Sequence, residues 1–187
     1  MPPTKSQIIN LIFSLLIFLC LVACKENKTV ENGNNKIAFD KSNNEEIEAY
    51  FFIATASISK SIIAKTQIAQ QKCKQLEIQQ ISKRIENNQT LFLQDVTKMA
   101  NKKLVIITEV NESIAKKDLY QLIDTAEVDF DKAYINSIAS SLSEQIDLLE
   151  SISKETKDES ILKLVINYLP EQYNLLREAK KIKDQIN

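Results

Sequence analysis

The reactive side chain with the most definite setting is the thiol of Cys24. Leu21-Val22-Ala23 stands immediately before it, and an apolar run from Ile8 to Val22 leads up to it, broken only by Asn10, Ser14 and Cys20. Lys5 supplies a positive charge ahead of that run. The run is too short for a comfortable membrane span and has the length of an export-signal core. Elsewhere the chemistry is limited by what is missing. The chain has no histidine, which removes the usual general base near neutral pH and the commonest metal ligand. No Cys–His or Ser–His pairing is possible. Carboxylates are plentiful, with 25 Asp and Glu against 24 Lys and Arg, but no inward carboxylate pair stands out from this charged background. A carboxylate-only site stays chemically possible. The near-zero net charge offers no broad basic footprint for nucleic acid.

Leu21-Val22-Ala23-Cys24 resembles the bacterial lipobox. The resemblance implies a diacylglycerol on the Cys24 sulfur, cleavage before Cys24 and acylation of the new amino group. Several acyl chains, each buried methylene worth roughly 0.8 kcal/mol, make such attachment effectively permanent. The plainer alternative is an uncleaved anchor with an incidental cysteine. With Cys20 removed and Cys24 lipidated, only Cys73 remains, so no intramolecular disulfide is expected. Cys73 is expected to be an ordinary, partly buried residue rather than a reactive thiol. Lys25-Glu26 follows the anchor. The aspartate that retains enterobacterial lipoproteins at the inner membrane is missing, and Lys-Glu resembles the start of the surface-export signal of Bacteroidetes lipoproteins. The expected location is therefore the cell envelope, lipid-anchored at the outer membrane rather than the inner one. Residues 1–23 read as signal peptide. Residues 24–44, polar and holding the single glycine Gly33, read as a flexible tether. Residues 45–187 read as the folded domain.

That domain should be all-α. One glycine, three prolines and no tryptophan argue against an all-β or glycine-loop architecture, and the Ile, Leu, Lys, Glu and Gln content favours helix. The cleanest amphipathic signal is Asp129 to Ser153, where Phe130, Tyr134, Ile138, Leu142, Ile146, Leu149 and Ile152 form one stripe. A first helix should start near Asn43 or Asn44, with the row Ile47, Phe51, Ala54, Ile58, Ile62, Lys65 and Ala69. Lys65 is the one polar break. A second follows a short link around Lys72 to Gln75 and carries Ile78, Ile81, Ile85, Asn88, Phe92, Val96 and Met99, with Asn88 the intruder. A long connection, Asn101 to Val128, permits a crossover as in ferritin-like bundles. Within it Leu104 to Thr108 should pack Val105 and Ile106, and Asn111 or Ser113 should begin a short helix through Leu119 and Ile123. A last helix, opened by a capping box from Thr156 to Glu159 with Asp158 competing, presents Ile161, Val165, Tyr168, Gln172, Leu175, Ala179, Ile182 and Ile186. Pro170 should kink or break it around Ile166 to Leu169. The expected architecture is a ferritin-like four-helix bundle.

Three segments, FFIATASISKSIIAKTQIAQQK from Phe51, FDKAY from Phe130 and YLPEQYNLLREAKKI from Tyr168, together resemble the domain-of-unknown-function family 4142, ferritin-like bundles common in exported proteins. The resemblance implies family site positions at Ile62, Asn88, Leu142 and Leu175. Where the family carries an acidic residue and histidines, this chain has one amide and three aliphatics. Hydrocarbon donates no lone pair, so the expectation is a degenerate site filled by packing, with no cofactor and no metal. Asn88 should then find a partner in Gln172, Tyr173 or Ser141.

The functional expectation is a lipid-anchored envelope module that binds an unidentified protein partner or plays a structural role, without catalysis and without nucleic acid. A ferritin-like metal-handling or oxidoreductase protein with a degenerate site is one alternative. A periplasmic stress or chaperone-like factor is the other, and exposed Leu or Ile within residues 104–107 would favour it.

Overall fold

A computed structural model describes residues 33–107, 119–126 and 129–186, with side chains from residue 43 onward. The expected signal peptide, Cys24 and the expected start of the short connecting helix lie outside those residues. Packing divides the chain into Met1–Phe39 and Asp40–Asn187. Of the first unit, residues 33–39 are described and are helical.

Four long helices account for most of the described chain: α1 (Gly33–Lys72), α2 (Leu76–Lys102), α3 (Phe130–Glu155) and α4 (Glu159–Ile186). Residues 119–124 are also helical, and no strand occurs among the described residues. α1 starts earlier than the Asn43 or Asn44 expected, and residues 33–44 are helical. Extending a helix that is already nucleated costs little per residue, even through polar sequence.

Side-chain pairs fix the direction of each helix. Glu48, in the N-terminal half of α1, meets Lys103 just past α2 and Thr156 just past α3. At the opposite end, Asp131 in the first turn of α3 accepts hydrogen bonds from the backbone N–H groups of Lys74 and Gln75, both at 3.2 Å. Ser82 lies against Tyr134, and Gln89 against Gln145, so α2 and α3 run parallel. Arg84 to Glu178 and Asn88 to Gln172 make α2 and α4 antiparallel. The order is up, down, down, up, and the chain after α2 must cross the bundle lengthwise before α3. This is the ferritin-like topology.

α2 ends in a turn that aims the crossover. Leu104 has φ 59°, its N–H bonds to the Asn101 carbonyl, and the Val105 N–H reaches back to the Ala100 carbonyl at 2.9 Å. This is a Schellman closure with leucine where glycine is usual, and it carries the steric strain of a left-handed L-residue. It throws Leu104 out (89% exposed) and folds Val105 back against the core. Ile107, not the expected Ile106, is the next residue to pack. Ile106 is exposed.

The core forms two apolar clusters. One gathers Ile62, Ile85, Tyr134, Ile138, Leu142, Leu175 and their neighbours near the α1–α2 link. The other gathers Phe52, Phe92, Val96, Leu149, Ile152 and Ile161 at the Glu48 end. All seven stripe residues expected on α3 are buried. On α2 the expected row drifts off the core. Gln89 and Ala100 are buried, while Asn88 and Met99 are half-exposed. A row spaced at 3.5 residues slides around a straight helix of 3.6. α1 slips in the same way, burying Phe52, Thr55 and Ser59 where Ala54 and Ile58 were expected.

α4 runs unbroken through Pro170, contrary to the expected break. Proline leaves the Ile166 carbonyl without its helical donor, and Ile166 is exposed, where water can satisfy that carbonyl. The capping box also resolves differently. Asp158 caps α4, accepting from Ser160 N–H at 2.8 Å and Ile161 N–H at 3.0 Å, while Thr156 donates to Glu48 and accepts from the Asp158 N–H. The segment Asn43–Lys72 is long and apolar enough to cross a membrane by length and composition. Its buried Glu48, Ser59 and Lys65 all bond to side chains of other elements, as in the core helix of a bundle.

Candidate functional site

Between the two apolar clusters lies a layer of polar side chains, with at least one from each helix. Ser59 of α1, Gln89 of α2, Gln145 of α3 and Gln172 of α4 are all fully buried. Gln89 and Gln145 exchange amide hydrogen bonds reciprocally, Gln89 Nε2 to Gln145 Oε1 at 2.6 Å and Gln145 Nε2 to Gln89 Oε1 at 2.9 Å. Gln89 Nε2 also donates to Gln172 Oε1 at 3.0 Å, and Gln145 Nε2 to Ser59 Oγ at 3.0 Å. Gln172 Nε2 donates outward to Asn88 Oδ1 at 2.8 Å. A buried amide without partners costs about 1–3 kcal/mol. Here three amides and a hydroxyl meet those needs from one another. Thr55 Oγ1, on the same face of α1 as Ser59, is the one buried side-chain polar atom without a partner among the described residues.

The family positions divide around this layer. Ile62, Leu142 and Leu175 converge in the cluster below it, each fully buried. Asn88 is half-exposed at the edge of the layer and bonds to Gln172, one of its expected partners. Sequence reasoning placed Asn88 inward and passed over Gln89, the residue that occupies the interior. Gln145 was missed because it lies beside the stripe residue Ile146. A helix broad enough to touch two neighbours buries more than one row of side chains, and that is the signal that would have found it.

Among the described residues no three His, Cys, Asp or Glu side chains converge as metal ligands do. The layer itself is neutral. Its amide oxygens are engaged with amide donors, and the adjoining positions are hydrocarbon.

Two charged groupings flank the layer. Lys65, 2% exposed, donates to Ser141 Oγ at 3.0 Å. At the far end, Lys103 Nζ lies 2.7 Å from both Glu48 and Asp158, and Thr156 donates to Glu48 at 2.6 Å. The hydrogen bond from Lys103, then those from the Ile161 and Ser160 backbones, hold the Asp158 carboxyl below its ordinary range. Burial opposes the Lys103 charge, but hydrogen bonds to Asp158 and Glu48 outweigh it and hold the ammonium above its ordinary range. A depressed carboxyl contributes stability above its unfolded pKa of about 3.9 and loses it as pH falls through the folded value. A raised ammonium contributes below about 10.4 and loses it as pH rises through its folded value. Asp158→Asn, which keeps an oxygen for the cap, is expected to lower stability by about 1 kcal/mol or less, since the pair is partly exposed. Melting temperatures of the two proteins should differ steadily from about pH 5 to 9 and converge near pH 2–3. A difference that persists in acid would assign the effect to the cap instead.

Cys73 is buried at the α1–α2 link. Burial first, then the neighbouring Asp131 carboxylate, push its thiol up and away from the thiolate form, which disfavours nucleophilic attack.

These features define an all-α bundle of up–down–down–up topology, with a centre closed by amides and hydrocarbon. The chain belongs to the DUF4142 family, a domain of unknown function, whose model matches residues 48–182. The match opens at Glu48, in the end network, and closes at Ile182, in the lower cluster. No curated protein and no solved structure matches the chain.

Proposed function

We propose that the protein is a lipid-anchored module of the bacterial cell envelope that acts through binding or structure and not through catalysis. The anchor reading is supported by the order of Lys5, the Ile8–Val22 run and Leu21-Val22-Ala23-Cys24. The observation that carries the non-catalytic reading is the closed polar layer. Gln89, Gln145 and Gln172 spend their buried amides on one another, on Ser59 and on Asn88, leaving no aimed donor or base for a reacting group. The metal-handling alternative would need donors where Ile62, Leu142 and Leu175 stand. The client-binding alternative draws support from Leu104 and Ile106 at the head of the crossover, 89% and 77% exposed.

Cys24→Ser is expected to move the protein from the membrane fraction to the soluble envelope fraction and to abolish labelling by a radiolabelled fatty acid. Unchanged membrane association without label would leave an uncleaved anchor as the explanation. Stoichiometric iron, manganese or zinc in the purified protein would overturn the non-catalytic half of the reading.

A further inference from the structure

A cavity of about 460 Å³ opens between α1 and α3 at the Glu48 end of the bundle. Phe51 and Ile152, each 2% exposed, form its floor, and the half-buried Ile47 and Leu148 form its walls. On each helix the two residues are one turn apart, so each helix turns an apolar row to the cavity. Its polar lining is acidic. Glu46 and Glu155 are exposed at the rim, and no Lys or Arg lines the cavity among the described residues. Glu48 bonds to Thr156 and Ser59 to Gln145, so α1 numbers rise where α3 numbers fall. Glu46 and Glu155 therefore share the outer end of the cavity, and Leu148 closes the inner end. Glu155 accepts from the Ser151 hydroxyl and is the last residue of α3, where a carboxylate opposes the helix dipole. Tyr50, one turn from Glu46 on α1, also lines the cavity and is 65% exposed. An apolar trough with two carboxylates and an aromatic ring at one end is complementary to a positive charge on an apolar body.

We propose that this cavity binds a small organic cation, an ammonium carried on an apolar body. The seven residues from Leu148 to Glu155 span about 10 Å of helix, which sets the length of the ligand. Its ammonium lies between Glu46 and Glu155, with the Tyr50 ring face supplying a cation–π contact. Its apolar body lies along Ile47, Phe51, Leu148 and Ile152. Burial of the body supplies most of the affinity, and the carboxylates select the sign of the charge. The volume suits a ligand of that size. The inference is independent of the lipid anchor, and a failed Cys24→Ser test leaves it standing.

The test is titration of the isotope-labelled full chain in non-ionic detergent with hexylammonium, hexanol, hexanoate and methylammonium at matched ionic strength, followed by NMR. Hexylammonium should give saturable shifts at the Phe51, Leu148 and Ile152 amides and bind about tenfold more tightly than hexanol, a difference of one charge–carboxylate contact. Hexanoate and methylammonium should give no saturable shifts, the first for its charge and the second for want of an apolar body. Glu46→Gln/Glu155→Gln changes two exposed side chains and leaves the core intact. It should bring hexylammonium down to the affinity of hexanol and leave hexanol unchanged. Absence of saturable shifts, an equal response to hexanol, hexanoate or methylammonium, or an undiminished preference for hexylammonium in the double variant would overturn the proposal.

Discussion

Gln89→Leu is expected to lower the melting temperature by about 6–12 °C, corresponding to about 3 kcal/mol in a chain of this size. The side chains are similar in volume, so the loss is not one of packing. It comes from what Gln89 leaves behind. Gln145 Oε1 and Gln172 Oε1 lose their donor, and one Gln145 N–H loses its acceptor. All of these atoms are buried, each orphaned group costs about 1–3 kcal/mol, and partial rearrangement keeps the total near the lower sum. Replacing Gln89, Gln145 and Gln172 by Leu together with Ser59→Ala should recover most of that loss, because an apolar layer has nothing left to satisfy. Thermal unfolding followed by circular dichroism measures both variants. If the single substitution were silent, or the combined one far worse than it, the layer would not be the closed network described.

Leu142→Ala is expected to cost about 3 kcal/mol, within the 2–5 kcal/mol range for core leucines. Leu142 is fully buried in the cluster with Ile62 and Leu175, and its methyl groups have no route to water. Asn88→Ala should cost less than about 1 kcal/mol, because Asn88 is half-exposed and the Gln172 N–H it leaves lies at the edge of the layer. Denaturant unfolding of both variants gives the comparison. A neutral Leu142→Ala would mean that this position is not filled by packing, and it would reopen the question of a ligand there.

How much of this was legible in advance varied by helix. The α3 stripe was read correctly, because its apolar residues are large and recur at regular helical spacing. α2 was read one residue off at Asn88 and Met99, where the seam was projected at coiled-coil spacing along a straight helix. The family resemblance led to Ile62, Leu142 and Leu175, and these do meet in the core. It led to Asn88 as well, beside the residue that holds the interior. Lys65 was visible as a polar break in its row, but its bond to Ser141 was not, since the two residues are distant in sequence.

The sequence by itself determined the helical class, the long return between the second and third helices and the chemistry denied by the lack of histidine. These follow from composition and from local periodicity, which each segment carries alone. The tertiary structure decided which polar residues are inside. Gln89 and Gln145 are unremarkable on their own helices. They belong in the core only because α2 and α3 run parallel and set two amides opposite each other. A buried polar group is stable only beside its partner, and the partner's position is a property of the packed bundle.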